Sequence, residues 1–346
     1  MAVIKSNAYG HGIYEVTKAI QNKVDWFGVD SIDEAMAISK ANLKKPILIL
    51  GYTVFERLAE VVKKGFSQVV ANMETLQELE KICHLNKKCV QVHLKVETGT
   101  SRQGIFIKDL LRYCAFIKKS KYLKLAGLST HYANIEDTTD HSYAQSQLNK
   151  FNKAVKIVES FGFKNLIKHT ACSAASILFP ETYFDMTRVG ISLYGLWPSS
   201  ETLLSARQKG IELSLKPCLT WKTKIAHIKT LAAGTPISYG CSEKLHTKTK
   251  VAVLPVGYYD GYDRGLSSIG TVLVKGKRCK ILGRICMNMM IVDVSHVQNV
   301  TLEDEVVLLG QQKNEVISAE ELAKKINTIN YEIVARINPQ IKRFVK

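Results

Sequence analysis

The chain of 346 residues has no apolar run approaching the roughly 20 residues that a membrane-spanning helix needs. Its first residues, MAVIKSNAYGHG, contain no basic stretch leading into a long apolar one, so a secretory signal is not expected and the cytoplasm is. The eight cysteines (83, 89, 114, 172, 218, 241, 279 and 286) include no CxxC pair, and several lie in apolar segments. That pattern argues against a zinc site or a disulfide framework and fits reduced, buried thiols. No GxGxxG is present, which removes the dinucleotide fingerprint. There is no basic tail and no arginine-rich tract. The balance of 48 Lys and Arg against 31 Asp and Glu, +17, is carried by lysine pairs scattered along the whole length. They read as solvated surface, not as a nucleic-acid footprint.

What is present is an alternation. With 46% hydrophobic and 23% charged residues the chain is globular and long enough for one large domain or two ordinary ones. Short apolar runs at residues 2–4, 26–29, 47–50, 68–70, 90–95, 125–130, 166–170 and 186–189 predict strands. Helical patterns at 33–40, 55–64, 73–84, 108–119 and 143–160 fall between them. Strands alternating with helices mean βαβ units, and eight of them predict a (β/α)8 TIM-type barrel over residues 1–210. From about 211 to 346 the runs at 219–228, 251–256, 271–274, 281–285, 290–294 and 305–309 predict a smaller, mostly antiparallel β domain. The boundary lies within 198–215. One late helix is marked by Ser318 with Glu321 three residues on, a capping-box pattern.

In a parallel barrel, chemistry sits at the C-terminal ends of the strands. The first strand ends in Lys5, which taken alone reads more readily as a surface lysine just past a strand. The turn after it, Ser6-Asn7-Ala8-Tyr9-Gly10-His11-Gly12, packs two glycines, a tyrosine and a histidine together. A half-desolvated lysine at this place is a competent amine for a Schiff base. The fifth strand ends in Lys95, ahead of Glu97-Thr98-Gly99-Thr100-Ser101-Arg102, the sixth in Ser129-Thr130-His131-Tyr132. The seventh ends in His169-Thr170-Ala171-Cys172-Ser173 and the eighth in Arg188-Val189-Gly190-Ile191, where a barrel commonly seats phosphate. Lysine, phosphate seat and arginine on one rim suggest pyridoxal phosphate. In the second domain, Ser238-Tyr239-Gly240 and Gly257-Tyr258-Tyr259-Asp260-Gly261-Tyr262 set tyrosines between glycines. They predict phenols exposed in a cleft, with ordinary hairpin tyrosines as the alternative.

These segments together resemble the alanine racemase family of fold-type III pyridoxal-phosphate enzymes over nearly the whole chain. The cofactor-lysine signature is residues 2–12. Supporting blocks are Arg188-Val189-Gly190-Ile191, Ser238-Tyr239-Gly240, Pro255-Val256-Gly257-Tyr258, Gly283-Arg284-Ile285-Cys286-Met287 and Asn330-Tyr331-Glu332. The resemblance implies two-base racemisation of alanine for peptidoglycan synthesis, by a cytoplasmic homodimer with shared sites. Lys5 would carry the cofactor and act as base on one face, and Tyr239 of a partner subunit on the other. His131 backed by Arg188 would support that tyrosine, and Arg188 would contact the pyridine nitrogen. Tyr9, Ser173, Gly190, Ile191 and Tyr331 would hold the phosphate. Arg102 would contact the cofactor's ring oxygen and the substrate carboxylate, which the backbone N–H of Met287 would also meet. Tyr258 and Glu136 would line the access channel, and Lys95 aligns with a lysine carbamylated in some relatives. No metal and no nucleic acid are implied.

Three features depart from the family pattern. Members usually carry about thirty residues ahead of the lysine, so an upstream start is expected. Asn288 stands for the usual Asp, and Cys172 for the usual Asn. A related decarboxylase would want a carboxylate in place of Arg188, and an RNA-binding protein would want aromatics interleaved with arginine on a sheet face. Neither pattern is found. An inactive homologue is the remaining rival.

Overall fold

The computed structural model describes residues 1–41 and 44–346. The chain divides into two compact units, one of Met1–Ala8 with Gly12–Leu215, the other of Tyr9–His11 with Lys216–Lys346.

In the first unit, seven parallel strands follow one another in chain order: β1 (Ala2–Val3), β2 (Phe27–Val29), β3 (Ile47–Ile49), β4 (Ser67–Val70), β5 (Val90–Lys95), β6 (Leu123–Ser129) and β7 (Ile167–His169). Buried on both faces, β2 to β4 show no exposed position at all, so β2 and β3 do not alternate, and β4 buries Ser67 and Gln68 beside its two valines. Helices α2 (Ile13–Ile20), α3 (Ile32–Ser39), α4 (Leu58–Lys64), α5 (Met73–Asn86), α6 (Leu110–Lys119) and α7 (Ser142–Ser160) fall between them. On α7 the buried positions 144, 147, 148, 151, 154 and 158 form one stripe.

The eighth strand expected at 186–189 is reduced to a bridge. Val3 N–H donates to Val189 O at 2.9 Å and Val189 N–H to Met1 O at 3.1 Å, while Arg188 N–H reaches Ala171 O at 2.9 Å. The segment therefore closes the barrel between its first and last strands. It forms no ladder because the chain turns at Gly190 into the 3-10 turn Ile191–Tyr194. Two short helices, α8 (Ser173–Leu178) and α9 (Ser200–Gln208), complete the unit. Among the described residues no helix is long and apolar enough to cross a membrane.

The second unit is antiparallel. Its main sheet runs in the order β17 (Glu315–Ile317), β16 (Glu305–Gln312), β13 (Thr271–Val274), β14 (Lys277–Leu282), β15 (Met290–Asp293), β12 (Thr249–Leu254) and β9 (His227–Leu231). The run 219–228, expected as one strand, is broken into β8 (Trp221–Lys224) and the start of β9. Fully buried Ile225 marks the corner, and β8 pairs with β16 while β9 pairs with β12. A two-stranded ribbon, β10 (Pro236–Ile237) with β11 (Glu243–Lys244), stands apart. Ser318 caps α10 (Ala319–Lys325) as expected, taking Glu321 N–H at 3.1 Å. The Glu321 carboxylate does not return to the cap: it is drawn to the Arg278 guanidinium at 2.7 and 2.9 Å. The last helix, α11 (Asn330–Ala335), carries Tyr331.

Candidate active site

Lys5 follows β1 directly and opens α1 (Lys5–Tyr9), a single turn with an unusual backbone. Ser6, Asn7, Ala8 and Tyr9 all have φ between 52° and 54°, the left-handed region. For L-residues that conformation costs about 1–2 kcal/mol each, so the surroundings must impose it. They do so with carboxylate and amide acceptors. Glu34 on α3 takes Ser6 N–H at 2.5 Å through one oxygen and Asp30 N–H at 2.8 Å through the other. Asn7 Oδ1 takes Ile13 N–H at 2.9 Å. The Lys5 side chain is 40% exposed, with its ammonium 3.4 Å from Asp30 Oδ1. Partial desolvation was expected for this lysine; the facing carboxylate was not.

On the neighbouring segment, which Val189 joins to β1, Arg188 is buried without a carboxylate among the described residues. Its terminal nitrogens donate to Thr130 O at 2.7 Å, Thr170 O at 2.9 Å, His169 O and His169 Nδ1, the last at 2.7 Å. No described residue takes its Nε–H, and that atom is not enclosed. Burial pulls the guanidinium down to about 10, still charged near neutrality. Because arginine only donates, His169 Nδ1 must accept, so His169 Nε2–H donates to His93 Nδ1 at 2.9 Å. The His93 proton then sits on Nε2, which is enclosed without a polar partner, and its ring meets Trp26 edge-on at 5.8 Å. Burial, then the Arg188 charge, holds His93 down to about 3 and His169 well below its ordinary value.

His131 was expected to be backed by Arg188. The backing is electrostatic: the guanidinium bonds His169, not the His131 ring. Burial and the charges of Arg188, Lys95, Arg102 and Lys5 lower the His131 imidazole to about 3, so it is neutral. The Lys95 amine is lowered to about 8 by burial and by Arg102 and Arg188. Arg102 is exposed, and no described residue bonds its guanidinium. Four cations, Arg188, Lys95, Arg102 and Lys5, thus act on the neutral His131 imidazole and make the rim electropositive.

Of the residues expected around a phosphate, Ser173, Gly190 and Ile191 are brought together. Ser173 Oγ accepts Gly190 N–H at 3.0 Å and Ser192 N–H at 3.4 Å, which leaves its own proton for an outside acceptor. Ser192 Oγ beside it is enclosed and without a partner among the described residues. An orphaned hydroxyl, a hydroxyl with a spare proton and a guanidinium with a spare N–H suit an anionic, nitrogen-bearing ring. Cys172 at the α8 N-cap makes no side-chain cap bond, and burial raises its thiol to about 11. Half-buried Glu136 accepts Ser199 Oγ at its carbonyl.

Tyr9 and Tyr331 meet within the second unit, ring centroids 6.0 Å apart. There Gly10 is obligatory, since a Cβ would lie 1.7 Å from Val334 O. Tyr239 is 72% exposed, in a turn where Ser238, Gly240 and Cys241 all have positive φ. Met287, 54% exposed, accepts Tyr259 N–H at 2.9 Å, and Tyr258 N–H donates to Cys286 O at 3.0 Å. The two loops nest because residue 257 is glycine: a Cβ there would lie 2.1 Å from Cys286 O. Met287 N–H meets no acceptor among the described residues, and Asn288 is exposed beside it. Tyr262 corrects the expectation of a set of exposed phenols. It is fully buried, 5.9 Å from the Trp221 ring, with its hydroxyl on Thr271 O at 3.4 Å.

Comparison with known proteins decides the family. The model for "Alanine racemase, N-terminal domain" matches residues 1–198 and that for "Alanine racemase, C-terminal domain" residues 218–345. The chain belongs to the alanine racemase family. An alanine racemase of Leptospira interrogans serogroup Icterohaemorrhagiae serovar copenhageni is 41% identical over 99% of this chain and 88% of its own length. Alanine racemase 2 of Caldanaerobacter subterraneus subsp. tengcongensis is 37% identical over 99% and 87%. Among solved structures, alanine racemase of Bacillus anthracis with bound L-Ala-P superposes with a TM-score of 0.90 at 33% identity, covering 97% of this chain and 85% of that one.

Within that family frame, sequence reasoning missed Asp30, Glu34, His93 and Ser192. Glu34 had a local signal, standing three residues after Ser31 in a capping box that the structure forms. His93 had a weaker one, a polar residue at a buried position of an apolar strand. Asp30 and Ser192 had none.

Proposed function

We propose that this protein is a pyridoxal-phosphate-dependent racemase that interconverts L- and D-alanine, supplying D-alanine for peptidoglycan synthesis. The observation that carries the reading is the buried Arg188 guanidinium, with no carboxylate partner and one spare N–H among the described residues, on the same strand-end rim as Lys5. When bound, pyridoxal phosphate supplies an aldehyde for the substrate amine and a ring that makes the α-proton acidic. Lys5 would hold it covalently. Ser173, Gly190, Ile191, Tyr9 and Tyr331 would hold its phosphate, and Arg188 its ring nitrogen. A guanidinium there leaves that nitrogen unprotonated and the ring a weaker electron sink, which disfavours side reactions such as transamination.

Racemisation needs one base on each face of the α-carbon. Lys5 is assigned to one, and the partner subunit's Tyr239 to the other. A phenol with an ordinary pKa of about 10 is a poor base near neutrality. Neutral His131 and the Arg188, Lys95 and Arg102 charges supply the environment that favours its anion. Arg102 and the Met287 N–H are assigned to the substrate carboxylate. Tyr258 and Glu136 are assigned to the approach, where the entry tyrosines would leave little room for a side chain larger than methyl. Lys95, its amine pulled down to about 8, has a neutral fraction able to take up carbon dioxide as a carbamate. A carbamate resonance in protein grown with 13C-bicarbonate tests that assignment.

The deciding experiment is interconversion of L- and D-alanine by the purified chain with added pyridoxal phosphate, beside Lys5→Ala and Tyr239→Phe. Wild type is expected to racemise and both variants to lose at least about 100-fold, the scale of removing a positioned acid–base group. A wild type inactive with alanine and other small amino acids overturns the reading.

A further inference from the structure

Arg102 sits at the tip of a loop whose neck is closed by backbone bonds, Ile105 N–H to Lys95 O at 2.8 Å and Glu97 N–H to Ile105 O at 2.9 Å. Among the described residues the guanidinium at the tip has no partner, so its position is set by what grips the limb at 98–100. That grip comes from one face of α7. Tyr143, Gln147 and Lys150, spaced i, i+4 and i+7, all reach the limb: Tyr143 Oη donates to Gly99 O at 2.9 Å, Gln147 Nε2 to Thr98 Oγ1 at 3.2 Å and Lys150 Nζ to Thr98 O at 3.3 Å.

Gln147 does more than hold one loop. Its side chain is fully buried, and its second Nε2 proton goes to His131 O at 3.2 Å while Oε1 accepts Ala133 N–H at 2.9 Å. Both donors of the amide and its acceptor are thus engaged, two on the loop after β6 and one on the loop after β5. The same two loops are stitched by Thr98 Oγ1 to Thr130 Oγ1 at 2.7 Å and by Thr100 Oγ1 to His131 O. A purely structural stripe at these positions would be apolar, like Ala144, Leu148 and Phe151 beside it.

We propose that Gln147, aided by Tyr143, is a positioning residue that sets the spacing between Arg102 and His131. It would govern substrate affinity without touching substrate or cofactor. The proposal rests on the racemase reading only in assigning Arg102 to the substrate carboxylate; the mechanical claim stands apart from it.

The test uses Gln147→Leu, which keeps the bulk and removes all three bonds, and Tyr143→Phe, which removes one bond at a side chain 43% exposed and so spares the fold. Amide hydrogen exchange of the apoprotein should rise at residues 97–101 in both variants and stay unchanged in the turn after Lys5. With cofactor, KM for L-alanine should rise roughly tenfold in Gln147→Leu and about threefold in Tyr143→Phe, with kcat within about twofold, as expected for a displaced binding group. Equilibrium affinity of the apoprotein for pyridoxal phosphate should change by less than about twofold, because Lys5, Arg188 and the phosphate seat are untouched. Unaltered exchange at 97–101 overturns the positioning claim, whatever the activity. Altered exchange with unaltered KM overturns the assignment to substrate affinity, and loss of cofactor affinity in step with KM overturns its specificity. If exchange responds and unmodified protein does not racemise, the activity reading has failed and the loop mechanics has not.

Discussion

A guanidinium buried without a carboxylate is costly unless every donor is satisfied, and the residues around Arg188 are arranged to satisfy most of them. Three carbonyls and one imidazole nitrogen take its terminal protons, and the imidazole is itself oriented by a second, His93. Replacing His169 with leucine leaves a charged donor short of an acceptor and should lower unfolding free energy by about 1.5–3 kcal/mol, read from urea melts at pH 7.5. The same burial makes an acid-sensitive core. His93, His131 and His169 are held neutral when folded but titrate near 6.5 when unfolded, so the unfolded state binds more protons as pH falls. Their contribution is fully present above pH 6.5 and is lost as pH drops from there toward about 3, where His93 and His131 protonate in the folded chain. Each histidine should add a slope of about 1.4 kcal/mol per pH unit in that window. Urea midpoints should fall from pH 7 through 6 to 5, and His131→Asn should remove one such slope.

The element that matters most for Lys5 is the left-handed turn behind it. Nothing in Ser6-Asn7-Ala8-Tyr9 dictates that hand, since only Asn tolerates it readily. It is imposed by the Glu34 carboxylate, 28 residues along the chain, through Ser6 N–H. Glu34→Gln replaces one acceptor oxygen by a donor that faces a donor, so it should cost nearly as much as Glu34→Ala, about 1–3 kcal/mol, with faster amide exchange at Ser6. A variant with normal exchange there would mean that the turn holds itself. The contrast explains what could be read in advance. Strands buried on both faces show as apolar runs, and helices between them as periodic stripes, so the barrel and the positions of Lys5, Arg102, His131, Ser173 and Arg188 at its strand ends were legible. The eighth strand was misjudged because Val189 closes the barrel by a bridge that a local pattern cannot distinguish from a ladder. Tyr262 was misjudged for the same reason, its neighbour Trp221 lying 41 residues upstream.

At the scale of the whole molecule, the residues assigned to one reaction divide between two compact units. Lys5, Arg102, His131, Ser173 and Arg188 belong to the first, Tyr239, Met287 and Tyr331 to the second. Tyr239 and Met287 expose 72% and 54% of their surface, and Met289 beside them 55%. Large apolar side chains so exposed, on loops whose backbones are tightly fixed, suit a surface that a second copy covers. The proposed homodimer makes an arithmetical demand. If each site takes its lysine from one chain and its tyrosine from the other, Lys5→Ala and Tyr239→Phe chains are inactive alone, yet each holds what the other lacks. Unfolded together in equal amounts and refolded with cofactor, half of the dimers would be mixed, and each mixed dimer would own one intact site and one doubly altered site. Activity should return to about a quarter of wild type by random isologous pairing. Recovery near that level, with a dimer mass by sedimentation, supports shared sites. No recovery from a mixture shown to contain mixed dimers means that each site is built from a single chain, and the assignment of Tyr239 across subunits falls.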